Sequence, residues 1–267
     1  MFNRVQTQSY PLNDLSFLVP GDDIARMPLE LQELCEHYNS VCRDGFDADE
    51  AAATSDWPVS LFIPQRYEEN YAYPLLIWFH DENSSENELD LVMNAIGDQN
   101  YCGLALRGNR VLSGHDSFGW NSGSLEFGQV PLRKLVNVTT RRLRKALHIH
   151  SERIFVAGSG TGADVALKLL TECPAWFAGA VLIDPSCSER LVLANQSELR
   201  GKSVLQTVAR TATDATLANN LDTVRLLRSA GVDVDVRVTE LPLDACSNDA
   251  RFIDSWVISR LNCVSYV

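Results

Sequence analysis

Long apolar runs are missing from this sequence of 267 residues. No stretch approaches the roughly 18 apolar residues that a membrane-spanning helix needs. The N-terminal segment MFNRVQTQSYPLND also lacks the basic region and apolar stretch of a secretion signal. We therefore expect a cytoplasmic protein without a membrane span.

Positive charge and paired cysteine motifs are also scarce. The net charge is −12, which would repel the phosphates of nucleic acids and anionic lipids, so neither is an expected partner. The 7 cysteines never occur in C-x-x-C spacing, and their number is odd. The sequence predicts no disulfide framework, no metal site and no cofactor.

The chain divides near residue 56 into two parts of different character. Residues 1–55 contain the acidic segment DGFDADEAAATSD and are predicted to form an arm or linker. Residues 56–267 alternate between strand-like and helix-like segments, which predicts a mostly parallel central sheet with helices on both faces. The near-continuous apolar run YPLLIWFH indicates a strand buried on both faces, whereas VDVDVRV, with Asp233 and Asp235 between valines, indicates a strand with one wet face.

The stretch IFVAGSGTGADVAL is typical of a strand, a glycine turn and a helix, and it half-matches two motifs. One is the nucleophile elbow G-x-S-x-G of hydrolases. The other is the dinucleotide fingerprint G-x-G-x-x-G/A, for which Gly158, Gly160 and Ala163 fit and Asp184 would be the ribose-binding acid. That fingerprint normally opens its domain, but here at least two strands precede it.

Four segments in order resemble the phospholipase/carboxylesterase branch of the α/β-hydrolases and the related dienelactone-hydrolase-like and polyhydroxyalkanoate-depolymerase-like proteins. They are PLLIWFHD, NYCGLALRG, HSERIFVAGSGTGADVAL and LLRSAGVDVDVRV. The resemblance implies an α/β-hydrolase fold and carboxylic ester hydrolysis as the family activity. It also implies a catalytic serine at position 160, followed along the chain by an acid and a histidine.

The residues depart from that pattern at the nucleophile and at the base. Gly160 occupies the nucleophile position, and Ser159 could serve only if the motif shifted by one residue. None of the 5 histidines follows residue 150, and the family's histidine loop reads LDACSND here. Asp214 lies near the expected acid, although it could instead cap the following helix.

Further candidate site residues come from the loops around the turn. His80 and Asp81 follow the strand whose end supplies part of the oxyanion hole in active relatives, and Thr161 follows the vestigial nucleophile position. His115 lies in a loop that would overhang the pocket. The sequence thus predicts a pseudoenzyme that binds an ester or acyl compound, or a protein partner. An active esterase that uses Ser159 and a dinucleotide-binding protein remain the alternatives, and the oligomeric state is open.

Overall fold

An eight-stranded mixed sheet forms the centre of the molecule. The computed structural model describes residues 10–11, 57–113, 117–121, 126–127, 130–187, 191, 193 and 196–263. The central strands, in chain order, are β1 (Tyr10–Pro11), β2 (Pro58–Phe62), β3 (Tyr73–Phe79), β4 (Cys102–Leu106), β9 (Ile149–Ser159), β10 (Gly179–Ile183), β11 (Ser203–Ala209) and β12 (Asp233–Thr239). Four short strands make two separate hairpins: β5 (Arg110–Val111) with β6 (Phe118–Gly119), and β7 (Glu126–Phe127) with β8 (Val130–Pro131).

Six α-helices connect the strands of the described chain. They are α1 (Leu89–Ile96), α2 (Leu132–Ala146), α3 (Thr161–Glu172), α4 (Gln196–Leu199), α5 (Asp214–Ser229) and α6 (Phe252–Cys263). Short 3-10 helices cover Glu86–Glu88, Pro174–Trp176 and Asn248–Arg251. The predicted alternation of strands and helices is confirmed.

The sheet order is β1-β2-β4-β3-β9-β10-β11-β12. Pairing is antiparallel between β1 and β2 and between β2 and β4, and parallel from β4 through β12. The predicted mostly parallel sheet is therefore confirmed. In such a sheet the loops at the carboxyl ends of the strands meet at one edge, where ligands bind in α/β proteins.

Apolar side chains form a core on each face of the sheet. One core packs helices α2, α3 and α5 against the sheet, and the other packs α1 and α6 against the opposite face. Every residue of β3 is buried, as the apolar run YPLLIWF predicts, because helices cover both of its faces. No helix in the described ranges is long and apolar enough to cross a membrane.

The two parts of the chain predicted from composition meet in the sheet. Tyr10 and Pro11 of the predicted arm pair with Val59 and Pro58 of β2. The rest of residues 1–55 lies outside the described residues.

The wet-face prediction for VDVDVRV is wrong in detail. Only Val234 of the three strand valines is buried, while Val236 and Val238 are 42% and 62% exposed. The reason is position, because β12 is the last strand of the sheet and the residues beyond Val234 lie outside the core.

Candidate functional site

The GSGTG stretch forms a tight turn at the carboxyl end of a central parallel strand. Strand β9 ends at Ser159, helix α3 begins at Thr161, and Gly160 alone links them. The Gly160 amide donates to the carbonyl oxygen of Ile183 on neighbouring β10 at 2.9 Å. The predicted turn is confirmed, and it lies where α/β sheets place their ligand crevices.

The backbone at this turn has the conformation of a nucleophile elbow. Gly160 has φ +50° and ψ −119°, a left-handed conformation that costs a non-glycine residue about 1–3 kcal/mol. Gly162 meets a second requirement, because a Cβ there would overlap the backbone carbonyls of Phe79 and His80 at the end of β3. Helix α3 can approach β3 this closely only because residue 162 has no side chain.

The Asp81 carboxylate occupies the space above the turn. Its Oδ1 accepts hydrogen bonds from the Thr161 amide at 2.9 Å and from the Glu82 amide at 2.7 Å. The Thr161 hydroxyl donates to the same oxygen at 3.1 Å. A Cβ built on Gly160 would collide with this carboxylate. The Asp81 carboxylate therefore occupies the space that a side chain at position 160 would need. It also accepts the hydrogen bonds that the Thr161 and Glu82 amides can donate.

The two amides that donate to Asp81 lie at the positions where active α/β-hydrolases have the amides of their oxyanion hole. In α/β-hydrolases the hole consists of the amide of the residue after the nucleophile and an amide from the loop after the third strand. The corresponding donors here, Thr161 and Glu82, both point at one carboxylate oxygen of the chain itself. Amide-to-carboxylate hydrogen bonds are charge-assisted and stronger than neutral ones.

His80 holds the main chain that carries Asp81. Its Nε2 accepts from the Gly108 amide at 2.9 Å, so Nδ1 carries the proton and donates to the Asp81 carbonyl at 2.7 Å. The ring lies 5.1 Å from the Trp120 ring, and Trp120 Nε1 donates to the His80 carbonyl at 2.7 Å. Both ring nitrogens are thus engaged in backbone hydrogen bonds, which makes His80 a structural residue rather than a base.

Burial lowers the pKa of His80, and this predicts a pH dependence of stability. The unfolded chain takes up a proton below about pH 6.5, whereas the folded protein resists protonation, so stability is full above that pH and falls as pH decreases through it. In urea unfolding between about pH 5 and 8, His80→Gln should lower stability at neutral pH but remove up to about 1.4 kcal/mol per pH unit of the acid-side slope. Identical slopes for wild type and variant would contradict the assignment.

Asp214 does not lie in this site's hydrogen-bond network. It is exposed in the first turn of α5, where its charge favours the helix N-terminus. The predicted cap role of Asp214 is wrong by one residue, because the cap is Thr213, whose hydroxyl accepts from the Thr216 amide at 3.2 Å.

Asp184 is the carboxylate that connects β10 to the loop after β12. Its Oδ2 accepts from the Leu243 amide at 2.7 Å, and its own amide donates to the Thr207 hydroxyl at 3.0 Å. Leu243 begins the segment LDACSND, in which the resemblance places a histidine. From the sequence, Asp184 was a candidate only as a ribose-binding acid. Its position directly after β10, the strand beside the elbow strand β9, was the sequence feature that could have indicated its contact with the loop after β12.

The surroundings of the turn are acidic. Glu88 accepts from Trp78 Nε1 at 2.6 Å and from the Ser84 hydroxyl, and burial raises its pKa in spite of these two hydrogen bonds. The charges of Asp81 and Asp244 raise it further. Among the described residues, no group of three or more histidine, cysteine or acidic side chains is arranged to hold a metal ion.

The remaining histidines of the described chain are distant from the turn. His148 directly precedes β9 and His150 is its second residue, while Ser159 is its last. Ile149 pairs with Tyr73 and Gly158 pairs with Phe79 of β3, so the two ends of β9 are about 20 Å apart. Ser159 is partly buried as the last residue of β9. His37 and the predicted site residue His115 lie outside the described residues.

Comparison with known proteins identifies structures of similar fold but no relative by sequence. The sequence matches no protein-family model and no curated protein. Among solved structures, the carboxylesterase of Bacillus cereus is 21% identical with a TM-score of 0.56, and the match covers 76% of this chain and 94% of that one. A carboxylesterase from Mesorhizobium loti is 20% identical with a TM-score of 0.54 and the same coverage of 76% and 94%. Fungal esterases from Rhizomucor miehei are 14% identical with a TM-score of 0.58, over 80% of this chain and 81% of theirs. The chain therefore has the α/β-hydrolase fold.

Proposed function

We propose that this protein is a non-hydrolytic pseudoenzyme of the carboxylesterase-like α/β-hydrolases. One observation carries the proposal: the Asp81 carboxylate accepts the Thr161 and Glu82 amides that would stabilise a tetrahedral oxyanion. Oxyanion stabilisation is commonly the largest single contribution to acyl-transfer catalysis. A fixed carboxylate in that place opposes the negative charge that develops during ester hydrolysis.

The missing reactive groups support the same proposal. Gly160 supplies no hydroxyl, and no histidine follows residue 150 in the sequence. His80 is buried, and both of its ring nitrogens are engaged with the backbone. A serine nucleophile needs a base within hydrogen-bond reach, and none of the described histidines offers one to Ser159.

What remains is a binding function at the carboxyl ends of the strands. The carboxylates of Asp81, Glu88 and Asp244 interact electrostatically around Glu88, so anionic ligands are disfavoured there. We infer that the ligand is an uncharged ester or acyl compound, or a protein segment without acidic side chains. A cytoplasmic location belongs to the same proposal, and the free cysteines of the described chain are compatible with it: Cys102, Cys173, Cys187 and Cys246.

Hydrolysis of p-nitrophenyl acetate tests the proposal. Wild type and Ser159→Ala should both stay at the rate of buffer alone, since neither has an activated nucleophile. Losing the members of a serine triad typically costs on the order of a millionfold in rate. Turnover by wild type that disappears in Ser159→Ala would show that the active-esterase alternative is right.

The hydrogen bonds at the turn disfavour the alternative of a dinucleotide-binding protein. The Thr161 amide at the start of α3, which would face a pyrophosphate, is engaged by Asp81. The Asp184 carboxylate, which would bind the ribose, is engaged by the Leu243 amide. We expect NAD to leave the melting temperature of the protein unchanged. A saturable increase in melting temperature with NAD would favour the dinucleotide-binding protein over the pseudoenzyme.

A further inference from the structure

Strand β12 presents a free edge at the end of the sheet. It pairs with β11 over Asp233–Thr239, and no strand among the described ranges pairs with its other side. Val236 and Val238, the two valines in the middle and at the end of this strand, are 42% and 62% exposed. An unpaired edge of seven residues with exposed β-branched side chains is a template for pairing with another strand.

The hydrogen bonds to β11 determine which backbone groups point outward. The Asp233 amide donates to the Lys202 carbonyl at 2.9 Å, and the Thr239 carbonyl accepts from the Arg210 amide at 2.7 Å. Odd-numbered residues of β12 therefore direct their amide and carbonyl groups toward β11. The even-numbered residues, which are all valines, direct theirs toward the free edge.

Two opposite charges are fixed on the other face of the same strand. Asp235 accepts from Trp256 Nε1 at 2.6 Å and forms an ion pair with Arg260 of α6. Arg237 lies with its guanidinium 3.8 Å from the centre of the Phe252 ring. Helix α6 thus holds an acid and a base at neighbouring positions on one face of the edge strand.

We propose that β12 pairs antiparallel with β12 of a second copy of this chain, about a two-fold axis at Val236. In that register Val236 lies opposite its symmetry mate, and Val234 lies opposite Val238 of the partner. Each of these is a hydrogen-bonded pair, which the outward-pointing amides and carbonyls require. The intervening positions then bring Asp235 of one copy opposite Arg237 of the other.

The charges select this register over its nearest competitors. Every allowed register must pair a valine of one copy with a valine of the other, because the valines carry the outward-pointing amides and carbonyls. The nearest symmetric alternatives therefore have their two-fold axis at residue 235 or at residue 237. The first brings Asp233 opposite Arg237 but also Asp235 opposite Asp235 at the axis, and the second brings Arg237 opposite Arg237. Like charges directly opposite each other destabilise a strand pair, whereas opposite charges stabilise it. The sequence Asp-Val-Arg is therefore complementary to itself about Val236, which favours a second copy over an unrelated partner.

The valine face and the hydrogen bonds supply the remaining stabilisation. Cross-strand pairing would cover the exposed side chains of Val236 and Val238 with valines of the partner. The Val234 carbonyl already accepts from Arg228 at 2.8 Å, but a carbonyl oxygen has two lone pairs and can also accept from the partner's Val238. Association in this register needs no rearrangement of the sheet.

Sedimentation equilibrium of the full chain tests whether the dimer forms. We expect wild type to be dimeric at about 100 μM, a concentration that populates complexes of micromolar affinity. Val236→Lys should be monomeric, because it places two ammonium groups opposite each other at the axis. The matched control is Leu91→Lys on α1, where an exposed leucine (59% exposed) is replaced on another surface, and it should remain dimeric. A monomeric wild type, or a dimer that survives Val236→Lys, would overturn the proposal.

Disulfide trapping tests the register. Opposed residues of a hydrogen-bonded pair have Cα atoms about 5.5 Å apart, within the range that a disulfide spans. Under oxidation Val236→Cys should give a covalent dimer that reduction reverses, while Val238→Cys, opposite Val234 rather than its own mate, should not. Wild type treated in the same way controls for the native cysteines. Crosslinking of Val238→Cys to an equal extent would show that the register is wrong.

Discussion

Replacing Gly162 by alanine should destabilise the protein by more than about 4 kcal/mol, a loss that few single substitutions cause. The added Cβ would overlap the carbonyl oxygens of Phe79 and His80, and it would lie 2.6 Å from the carbonyl carbon of Phe79. These are backbone atoms of β3 in the middle of the sheet, so they cannot rotate away as a side chain could. Helix α3 and β3 would have to separate, which would open the core on that face. Urea denaturation followed by circular dichroism measures the loss.

Gly201→Ala is the matched control for this prediction. Gly201 has φ +80°, but an added Cβ there meets nothing within 4 Å. The substitution therefore costs only the backbone strain of a non-glycine residue at positive φ, about 1–2 kcal/mol. Similar losses for Gly162→Ala and Gly201→Ala would contradict the close approach of α3 to β3.

The second large effect concerns Gly160 and Asp81 together. Gly160→Ser should be destabilised by about 1–3 kcal/mol of backbone strain, with a further cost for expelling the Asp81 carboxylate from its place. Asp81→Gly removes that conflict, so the double variant should be more stable than the sum of the single effects predicts. A coupling free energy of about 0.5–3 kcal/mol is typical of residues in direct contact. Additive effects would show that the Asp81 carboxylate does not occupy the space beside residue 160.

The same double variant separates geometry from chemistry. It has a serine at the elbow and no carboxylate to accept from the Thr161 and Glu82 amides, but no histidine follows residue 150 to accept the proton of the serine. We therefore expect hydrolysis of p-nitrophenyl acetate to remain near background. Robust turnover would mean that the chain contains a base outside the arrangement described above.

The sheet and the elbow could be predicted because their signals are local in the sequence. The fully apolar segment YPLLIWF can be buried only between two helical layers, and it forms β3. The spacing of Gly160 and Gly162 reports two steric requirements of one turn, a positive φ and a close helix–strand approach. Both requirements are set by the strand, turn and helix of the motif itself, so the local sequence is enough to indicate them.

The contents of the site could not be predicted in the same way. The sequence placed Asp81 among the candidate site residues after β3. The hydrogen bond from the Thr161 amide to its carboxylate depends on how the loop after β3 approaches the start of α3. The hydrogen bond from the Leu243 amide to Asp184 joins residues 59 positions apart, and no local sequence pattern indicates such a contact. The exposure of Val236 follows from the place of β12 in the sheet order, which the alternation of valines with polar residues does not encode.

Labelling with a fluorophosphonate ester, followed by intact mass spectrometry, tests the proposed absence of an esterase site most directly. The reagent phosphorylates serines that are activated by a base and an oxyanion hole, so it does not depend on knowing the ester that an esterase would prefer. With Gly160 at the elbow and Asp81 accepting the Thr161 and Glu82 amides, we predict that the mass of the protein stays unchanged after long incubation. A stoichiometric adduct on Ser159 that is absent from the heat-unfolded protein would contradict the account.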